Sequence, residues 1–201
     1  ALRQHKLDFI LTHPTHYRLI MERNTLSGAL ATLTETAHGK PVEAIGGVIF
    51  SRAERNDLNT LQDLKNRTIA SCSQTCMEGY QMQVEMFIDA GLPPPDDTQL
   101  LFIGLPHDGV VEAVLSGEAD AGFARAGVIE AMAEEGRLDI SRIRIIHRQD
   151  LPGFPYAVST RLYPQWPMAA LPQVDETSAR RVAAALLRIE KDTPLARALN
   201  I

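Results

Sequence analysis

The sequence lacks an excess of basic residues and any long apolar run, and each absence excludes a class of protein. Twenty lysines and arginines stand against 25 aspartates and glutamates, so the formal net charge is -5 at pH 7. A nucleic-acid-binding face needs clustered positive charge, and we therefore expect no nucleic-acid partner. No apolar run reaches the roughly 18–20 residues that a membrane-spanning helix needs. What is present is a chain of 201 residues, 45% of them hydrophobic, which is long enough to bury a substantial core.

Cysteine is also scarce: Cys72 and Cys76 are the two in the chain, and they lie in the segment SCSQTC. Two thiols are too few for a zinc site on their own, and no histidine-rich motif lies nearby. Three states stay open for this pair. The cysteines are reduced thiols, or they form a local disulfide, which a Cα separation of about 6 Å in a helical segment allows, or they contact a ligand or carry redox chemistry.

Motifs for catalysis, cofactors and metals are absent as well. The segment GGVIF at Gly46 is not followed by a helical pattern, so it is no dinucleotide-binding fingerprint. His13 and His16 are three positions apart, but no carboxylate or third histidine lies at a suitable spacing to complete a metal site. There is no nucleophile elbow, no phosphate-binding glycine loop and no HExxH motif. We therefore predict a binding domain rather than an enzyme, with no cofactor and no metal.

The segment Phe102–Glu130 carries the clearest structural pattern in the chain. It reads strand, turn, helix, short turn, strand, helix, with apolar residues at helical spacing over Val110–Leu115. Gly117 suits the left-handed position that ends a helix. The pattern places His107 and Arg125 near strand ends and helix starts, which is where open α/β sheets bind their ligands.

The rest of the chain continues this alternation of strands and helices, which predicts an α/β fold with a largely parallel sheet. Ala1–Lys6 has the pattern of a helix end, so we expect this sequence to be a piece of a longer protein. The further predicted strands are Leu7–Leu11, Ala29–Ala37, Glu43–Phe50, Thr68–Ser71 and Tyr156–Ser159, and the further predicted helices begin near Pro14 or cover Asn59–Leu64, Glu78–Ala90 and Thr177–Ile189.

Two lobes are predicted from the distribution of these elements. Thr68–Ile146 is a self-contained alternating unit, and polar or proline-bearing segments at Ser51–Asn59 and Leu151–Pro155 flank it. These segments are the expected hinge. We predict that residues 1–58 and 156–201 form the first lobe and residues 59–155 the second, with the ligand in the cleft between them.

Four short segments together resemble the phosphate- and phosphonate-type periplasmic binding proteins. They are Leu61–Ala70 (LQDLKNRTIA), Gly79-Tyr80, Pro106–Asp108 and Gly117–Gly122. The segment Ser159–Pro167 is similar to the sensor domains of membrane histidine kinases related to the tetrathionate sensor. The resemblance implies a type II periplasmic-binding-protein fold with two lobes and a hinge, in which the N-terminal βαβ unit of the first lobe is missing.

The same resemblance implies ligand contacts, residue by residue. The family's aromatic contact falls on Tyr17, and its ligand histidine falls on His107. Its anion-binding Ser-Thr-Ser loop falls on Cys76–Glu78, which has no hydroxyl, and its acidic hinge residue falls on Phe154. The architecture is therefore expected to carry over, whereas phosphonate as the ligand is not. The predicted ligand-binding residues are Thr12, His13, Tyr17, Cys76, Met77, Glu78, Tyr80, His107 and Arg125.

The function that this resemblance implies is an extracytoplasmic sensor domain of a two-component histidine kinase. It would bind a small molecule, an oxyanion, in the interlobe cleft, on the periplasmic side of the inner membrane. The membrane-anchored kinase modules would be its partners in the parent chain, and a homodimer is left open. The alternative is a substrate-binding protein of a phosphonate- or phosphate-type ABC transporter. An enzyme on this fold and the effector domain of a cytosolic regulator are the remaining rivals.

Overall fold

The computed structural model of the chain describes residues 6–24, 26, 28–190 and 193–199, so most of the predicted helix end at Ala1–Lys6 lies outside them. None of the helices within these ranges has both the length and the apolar composition that crossing a bilayer requires. The α-helices are α1 Pro14–Arg23, α2 Met82–Asp89, α3 Asp108–Ser116, α4 Val128–Glu134, α5 Glu176–Leu186 and α6 Pro194–Leu199. Shorter helical turns are the 3-10 segments Leu61–Leu64 and Ile140–Arg142 and the π-helical segment Met77–Gln81.

The strands are short. They are β1 Phe9–Leu11, β2 Ala29–Thr32, β3 Glu35–Ala37, β4 Lys40–Val42, β5 Ala44–Ile45, β6 Gly47–Arg52, β7 Ile69–Ser71, β8 Leu100–Phe102, β9 Ala121–Arg125, β10 Ile143–Ile146, β11 Tyr163–Pro164 and β12 Pro167–Ala170. The segments predicted as single strands at Ala29–Ala37 and Glu43–Phe50 are therefore each divided in two.

The chain folds into two compact units. The smaller unit comprises Ala1–Ala44 and Tyr163–Ile201, and the larger unit comprises Ile45–Leu162. The sequence-based boundaries, at residues 58/59 and 155/156, would put β6 in the first lobe. In the structure β6 is hydrogen bonded on one side to β10 and on the other to β9, so it is part of the larger unit's sheet.

The larger unit is built on a five-stranded sheet in the order β10-β6-β9-β7-β8. β7 runs parallel to β8 and β9, whereas β6 runs antiparallel to both β9 and β10. Four of the five strands therefore point the same way, and the predicted parallel sheet is confirmed with β6 as its exception. The two parallel crossovers, β7 to β8 and β8 to β9, contain α2 and α3, as parallel neighbours require.

Helices cover both faces of this sheet. Successive residues of a strand point to opposite faces, so neighbouring residues of one strand pack in different clusters. On β6, Val48 and Phe50 pack in one cluster with α3 and α4, whereas Ile49 packs in a second cluster with α2 and the Leu61–Leu64 turn. Each fully buried side chain of this kind contributes about 1.5–3 kcal/mol to folding. The core thus consists of two apolar layers, one on each face of the sheet. The ends of the strands lie outside these layers.

The predicted strand at Tyr156–Ser159 is wrong, because the structure replaces strand pairing with side-chain hydrogen bonds. The hydroxyl of Ser159 accepts from the backbone N–H of Ile49 (2.9 Å) and donates to the carbonyl of Ile146 (2.8 Å). The hydroxyl of Thr160 accepts from the N–H of Gly47 (2.9 Å), whose carbonyl accepts from the N–H of Ser159 (2.9 Å). The end of the larger unit is therefore fixed beside its beginning.

The smaller unit contains a three-stranded antiparallel sheet in the order β1-β12-β2, with α5 packed against β2. α1 begins with Pro14 in its first turn, as predicted from the sequence. α5 begins one residue earlier than predicted, because Asp175 is its N-cap and accepts from the N–H of Ser178 (2.9 Å). β3 and β4 form a hairpin whose two turn residues, His38 and Gly39, both have positive φ.

Candidate functional site

The carboxyl ends of β7, β8 and β9 meet at one edge of the larger unit's sheet. β7 lies between β8 and β9 and runs parallel to both, with Ser71 opposite Phe102 in the register of β7 and β8. Cys72 follows β7, the loop to His107 follows β8, and Arg125 is the last residue of β9. Ligands of open α/β sheets bind outside this edge, because the loops there are free to vary. We call the residues Cys72, Cys76, Gly79, His107 and Arg125 the strand-end cluster.

The two cysteines form a disulfide in this structure, with their Cα atoms 6.3 Å apart. Of the three states that the sequence left open, the structure therefore shows the local disulfide. The two sulfurs differ in exposure: Cys72 is buried, with 2% of its surface exposed, whereas Cys76 is half-buried. Cys76 is also the N-cap of the π-helical segment Met77–Gln81, which continues into α2.

The first turn of that segment is a π-helix, and two buried side chains satisfy its carbonyls. Gln83 donates from Nε2 to the carbonyl of Glu78 (2.8 Å), and Ser71 donates from its hydroxyl to the carbonyl of Gly79 (2.7 Å). Gln83 also donates to the carbonyl of Ala124 in β9 (3.0 Å). A wide helical turn of this type is rare and often occurs at functional sites. Here it is tied to the sheet at two points, which fixes Cys76 and Gly79.

His107 is the N-cap of α3, and its imidazole lies against the π-helical turn. Its Nε2 is 3.8 Å from the Sγ of Cys76. A Cβ atom placed on Gly79 would lie 2.5 Å from Cε1 of His107 and 2.6 Å from Sγ of Cys72, which is closer than real Cβ contacts. Glycine at position 79 is therefore what allows the imidazole and the disulfide to meet.

The surroundings of His107 favour its neutral form. Burial lowers the pKa of the imidazole from the usual 6.5, and the positive charge of Arg125 lowers it further, whereas the carboxylates of Glu78 and Asp108 act in the opposite direction. Among the residues that the structure describes, no hydrogen-bond partner meets the buried Nδ1 of this ring. A neutral imidazole has one N–H donor and one acceptor nitrogen, so the ring can both donate to and accept from a bound group.

This depressed pKa makes a prediction about stability and pH. The unfolded chain, in which the histidine pKa is near 6.5, binds the proton more readily than the folded chain. Stability therefore falls as the pH drops below about 6.5. We expect the free energy of unfolding, measured by urea denaturation, to fall between pH 7.5 and pH 5.5 in the natural chain. In His107→Gln this fall should be smaller. His147→Gln, at an exposed histidine, is the control and should retain the natural pH dependence; equal pH dependence in all three proteins would contradict the prediction.

Several of the residues predicted from the sequence come together at this site. Cys76 and His107 are in contact, and Arg125 and Glu78 lie near enough to influence the charge of His107. Met77 is among the buried residues, with 3% of its surface exposed. Its side chain therefore packs inside the unit, and the backbone N–H is the group that it can offer to a ligand.

Tyr80 follows Gly79 directly, but its ring packs against apolar neighbours. Its ring packs edge-on against Phe102, with the ring centroids 6.1 Å apart, and it borders the apolar cluster that includes α2. Burial raises the pKa of its hydroxyl, with a smaller contribution from Asp97. The structure thus gives Tyr80 a packing role, and a ligand contact by it stays a prediction.

Thr12, His13 and Tyr17 lie in the smaller unit, at the start of α1. His13 is the N-cap of this helix: its Nδ1 accepts from the N–H of His16 (3.3 Å), and its ring packs edge-on against Trp166. The hydroxyl of Thr12 is hydrogen bonded to Nδ1 of His16 (3.1 Å). Thr12 and His13 therefore stabilise the helix start, and the ligand contacts predicted for the three residues stay predictions.

A cavity of about 460 Å³ lies in the smaller unit. It is lined by Leu11, Ala31, Thr32, Leu33, Thr34, Thr36, Gly39, Pro41, Met168, Leu186, Leu187 and Ile189. These walls are largely aliphatic and contain no charged side chain, so the cavity does not suit an anion. The strand-end cluster has the chemistry for one, because it contains the guanidinium of Arg125 and the imidazole of His107.

Sequence reasoning missed three members of this arrangement. Cys72 and Gly79 were not among the predicted ligand-binding residues, and Gln83 was treated as part of an ordinary helix. His107 also joins the cysteine pair: one ligand atom from each of Cys72, Cys76 and His107 lies within 4.8 Å of the other two. The signal for Gly79 was its place in the CMEGYQ segment, but the partner that makes it necessary lies 28 positions further along the chain.

The chain belongs to the family described as ABC transporter, phosphonate, periplasmic substrate-binding protein, which it matches over residues 1–201. It is 32% identical over 187 residues to the tetrathionate sensor histidine kinase of Salmonella typhimurium, covering 92% of this chain and 31% of that protein. The chain thus spans about a third of the length of this curated relative. Both resemblances predicted from the sequence are confirmed.

Solved structures show the same fold. A Xanthomonas citri protein bound to ATP superposes with a TM-score of 0.72 at 18% identity, covering 98% of this chain and 70% of that one. A histidine kinase sensor domain with similarity to periplasmic binding proteins superposes with a TM-score of 0.52 at 17% identity, covering 100% of this chain and 72% of that one. The chain is therefore a ligand-binding domain with the periplasmic-binding-protein fold.

Proposed function

We propose that this chain is the extracytoplasmic sensor domain of a two-component histidine kinase and that it binds a small oxyanion at the strand-end cluster. The observation that carries the anion is the pairing of a cation, Arg125, with a neutral histidine, His107, at the carboxyl edge of parallel strands. A helical segment also begins there, at Met77, and its first N–H groups lack partners within the helix. Such N–H groups and a guanidinium are the donors that an oxyanion needs.

We place the sensor ahead of the transporter protein because the chain is 32% identical to a sensor kinase over 187 residues, whereas the family match over residues 1–201 fits either role. The match to the tetrathionate sensor kinase covers 92% of this chain. In this proposal the kinase modules and membrane anchor belong to the parent protein, and the domain lies on the periplasmic side. Binding transmits a signal only if the anion binds one conformation of the domain more tightly than another.

The chemistry of the loop favours a sulfur oxyanion over a phosphonate. Where the phosphonate-binding proteins carry hydroxyls, Cys76 is held in a disulfide, Met77 is buried and Glu78 is a buried carboxylate. A phosphonate would therefore lose three donors and meet a negative charge. A sulfur oxyanion such as tetrathionate, whose two terminal sulfonate groups each carry one negative charge, fits the remaining donors, which are Arg125, His107 and backbone N–H groups.

The test is a titration of the purified chain with tetrathionate, thiosulfate, sulfate and 2-aminoethylphosphonate, followed by thermal unfolding and calorimetry. We expect a sulfur oxyanion to raise the unfolding temperature, since a ligand at 100 times its Kd stabilises by about 2.7 kcal/mol. Arg125→Gln should weaken that binding by about tenfold or more, because a charge-assisted hydrogen bond is lost. Arg148→Gln, at an exposed arginine after β10, is the matched control and should bind normally.

Two results would contradict the proposal. Selective binding of 2-aminoethylphosphonate alone would restore the phosphonate interpretation of the loop. Binding of a sulfur oxyanion that is equally strong in the natural chain and in Arg125→Gln would remove the strand-end cluster from the site.

A further inference from the structure

A disulfide and a histidine are brought together from two different loops of the larger unit. Cys72 and Cys76 come from the loop after β7, and His107 comes from the loop after β8. Their ligand atoms all lie within 4.8 Å of one another, and Nε2 of His107 is 3.8 Å from Sγ of Cys76. Anion binding uses the imidazole as a hydrogen-bonding group, but it gives the disulfide no role.

The two sulfurs are arranged asymmetrically. Cys72 is buried, whereas Cys76 is half-buried, so a small molecule from solvent meets Cys76 first. Exchange at sulfur proceeds through one accessible sulfur atom, with the second cysteine resolving the mixed intermediate. The buried Cys72, four positions away and already within bonding distance of Cys76, is placed for that second step.

Two features favour the thiolate of Cys76 when the pair is reduced. The neutral imidazole of His107 has an acceptor nitrogen and lies beside this sulfur, so it can take the thiol proton. Cys76 is also the N-cap of a helical segment that runs from Met77 to Asp89, where the helix dipole stabilises a negative charge. The thiolate is the form that attacks a sulfur–sulfur bond.

We propose that Cys72, Cys76 and His107 form a thiol–disulfide exchange site whose reduced form is oxidised by small polythionates. The inference rests on the proposed function, because it makes the sulfur oxyanion of that site a reactant as well as a ligand. The structure then shows the oxidised state of the site. A site of this kind responds to the oxidising power of the ligand as well as to its concentration.

The steps balance with tetrathionate as the reactant. Cys76 transfers its proton to His107, and the thiolate attacks an inner sulfur of tetrathionate, which forms a Cys76–thiosulfate adduct and releases one thiosulfate. The thiol of Cys72 then loses its proton to solvent and attacks the Cys76 sulfur, which forms the disulfide and releases the second thiosulfate. In total the dithiol loses two electrons and two protons, and one tetrathionate becomes two thiosulfates. A small organic thiol, itself oxidised to its disulfide, restores the reduced state.

The experiment begins with the chain reduced by a phosphine, freed of reductant without oxygen, and mixed with tetrathionate. We expect two thiols to be lost and two thiosulfates to be released per chain. Cys72→Ser should stop at the adduct, which intact mass spectrometry detects as one added thiosulfate group on Cys76. Cys76→Ser should release no thiosulfate. His107→Gln should slow the reaction by about 100-fold, as expected for loss of a proton acceptor, whereas His147→Gln should react at the natural rate.

The outcomes separate this inference from the proposed function. If tetrathionate stabilises the oxidised chain but leaves the reduced thiols intact, the exchange site is wrong and the sensor proposal stands. If the thiols react and no sulfur oxyanion stabilises the chain, the exchange site stands and the binding proposal is wrong. An equal reaction rate in the natural chain and in His107→Gln overturns the role of His107. The natural chain in its two redox states needs no substitution, so the test holds even if a variant fails to fold.

Discussion

Replacing Phe123 by alanine should lower the free energy of unfolding by about 3–5 kcal/mol, the range for removing a fully buried aromatic side chain. Phe123 lies in the middle of β9, none of its surface is exposed, and its ring packs against Phe87 of α2 with the centroids 6.2 Å apart. Because β9 has neighbours on both sides, a cavity there cannot be filled by moving one strand. The loss should be large enough to see directly in urea denaturation at neutral pH.

Phe102→Ala is the matched control for this experiment. Phe102 is at the end of β8, and 42% of its surface is exposed. Its edge-on contact with Tyr80 is the main interaction that would be lost, and such a pair is worth about 0.5–1.5 kcal/mol. If the two substitutions cost the same, Phe123 is not the centre of the layer between α2 and the sheet, and the described packing is wrong.

Gly79→Ala should disable the strand-end cluster. The new Cβ would lie 2.5 Å from Cε1 of His107 and 2.6 Å from Sγ of Cys72, so one of these groups must move away. Overpacking of this kind costs about 1–3 kcal/mol of stability. We also expect the affinity for a sulfur oxyanion to fall by about tenfold or more, because the imidazole loses its position for hydrogen bonding. Thermal unfolding with and without tetrathionate measures both effects.

The control for this substitution is Gly109→Ala, which adds the same methyl group within α3. A Cβ there would lie 2.9 Å from one side-chain atom, Cγ2 of Ile103, and 36% of the surface of Ile103 is exposed, so this residue has room to shift. Alanine is also the better helix former, which offsets part of the cost of that shift, so the loss of stability should be smaller than for Gly79→Ala. Equal stability and equal anion binding in Gly79→Ala and the natural chain would show that the imidazole does not need its place against the turn.

Local signals in the sequence were sufficient for the elements that carry their own caps and periodicity. The helical spacing of Val110–Leu115 predicted α3, and Gly117 ends it in the left-handed conformation, with φ of 85°. The direction of β6 could not be read in this way, because parallel and antiparallel neighbours depend on where the chain returns. Tyr156–Ser159 failed for a related reason. The hydroxyls of Ser159 and the adjacent Thr160 are hydrogen bonded to β6, and a pattern of apolar residues does not reveal that.

The candidate site shows the same division between local and distant information. His107 could be proposed from the sequence because it stands at the start of a predicted helix, and Cys76 because the family resemblance places the anion-binding loop on Cys76–Glu78. The need for glycine at position 79 could not, since it arises from an imidazole that the fold brings from another loop. The hydrogen bonds from Ser71 and Gln83 to the carbonyls of Gly79 and Glu78 could not be predicted either, because no pattern in the sequence distinguishes a π-helical turn, with its i→i+5 hydrogen bonds, from an α-helical one.

The hydrogen bonds between Gly47 and the segment Ser159-Thr160 bring the two ends of the larger unit together. They place the first and last residues of a continuous segment, Ile45–Leu162, side by side, and that segment has its own sheet and its own two apolar layers. A module with adjacent ends can be inserted, exchanged or lost as one piece without stretching the chain around it. Every residue of the strand-end cluster lies within this segment, so an exchange of the segment would carry the site together with the sheet that positions it.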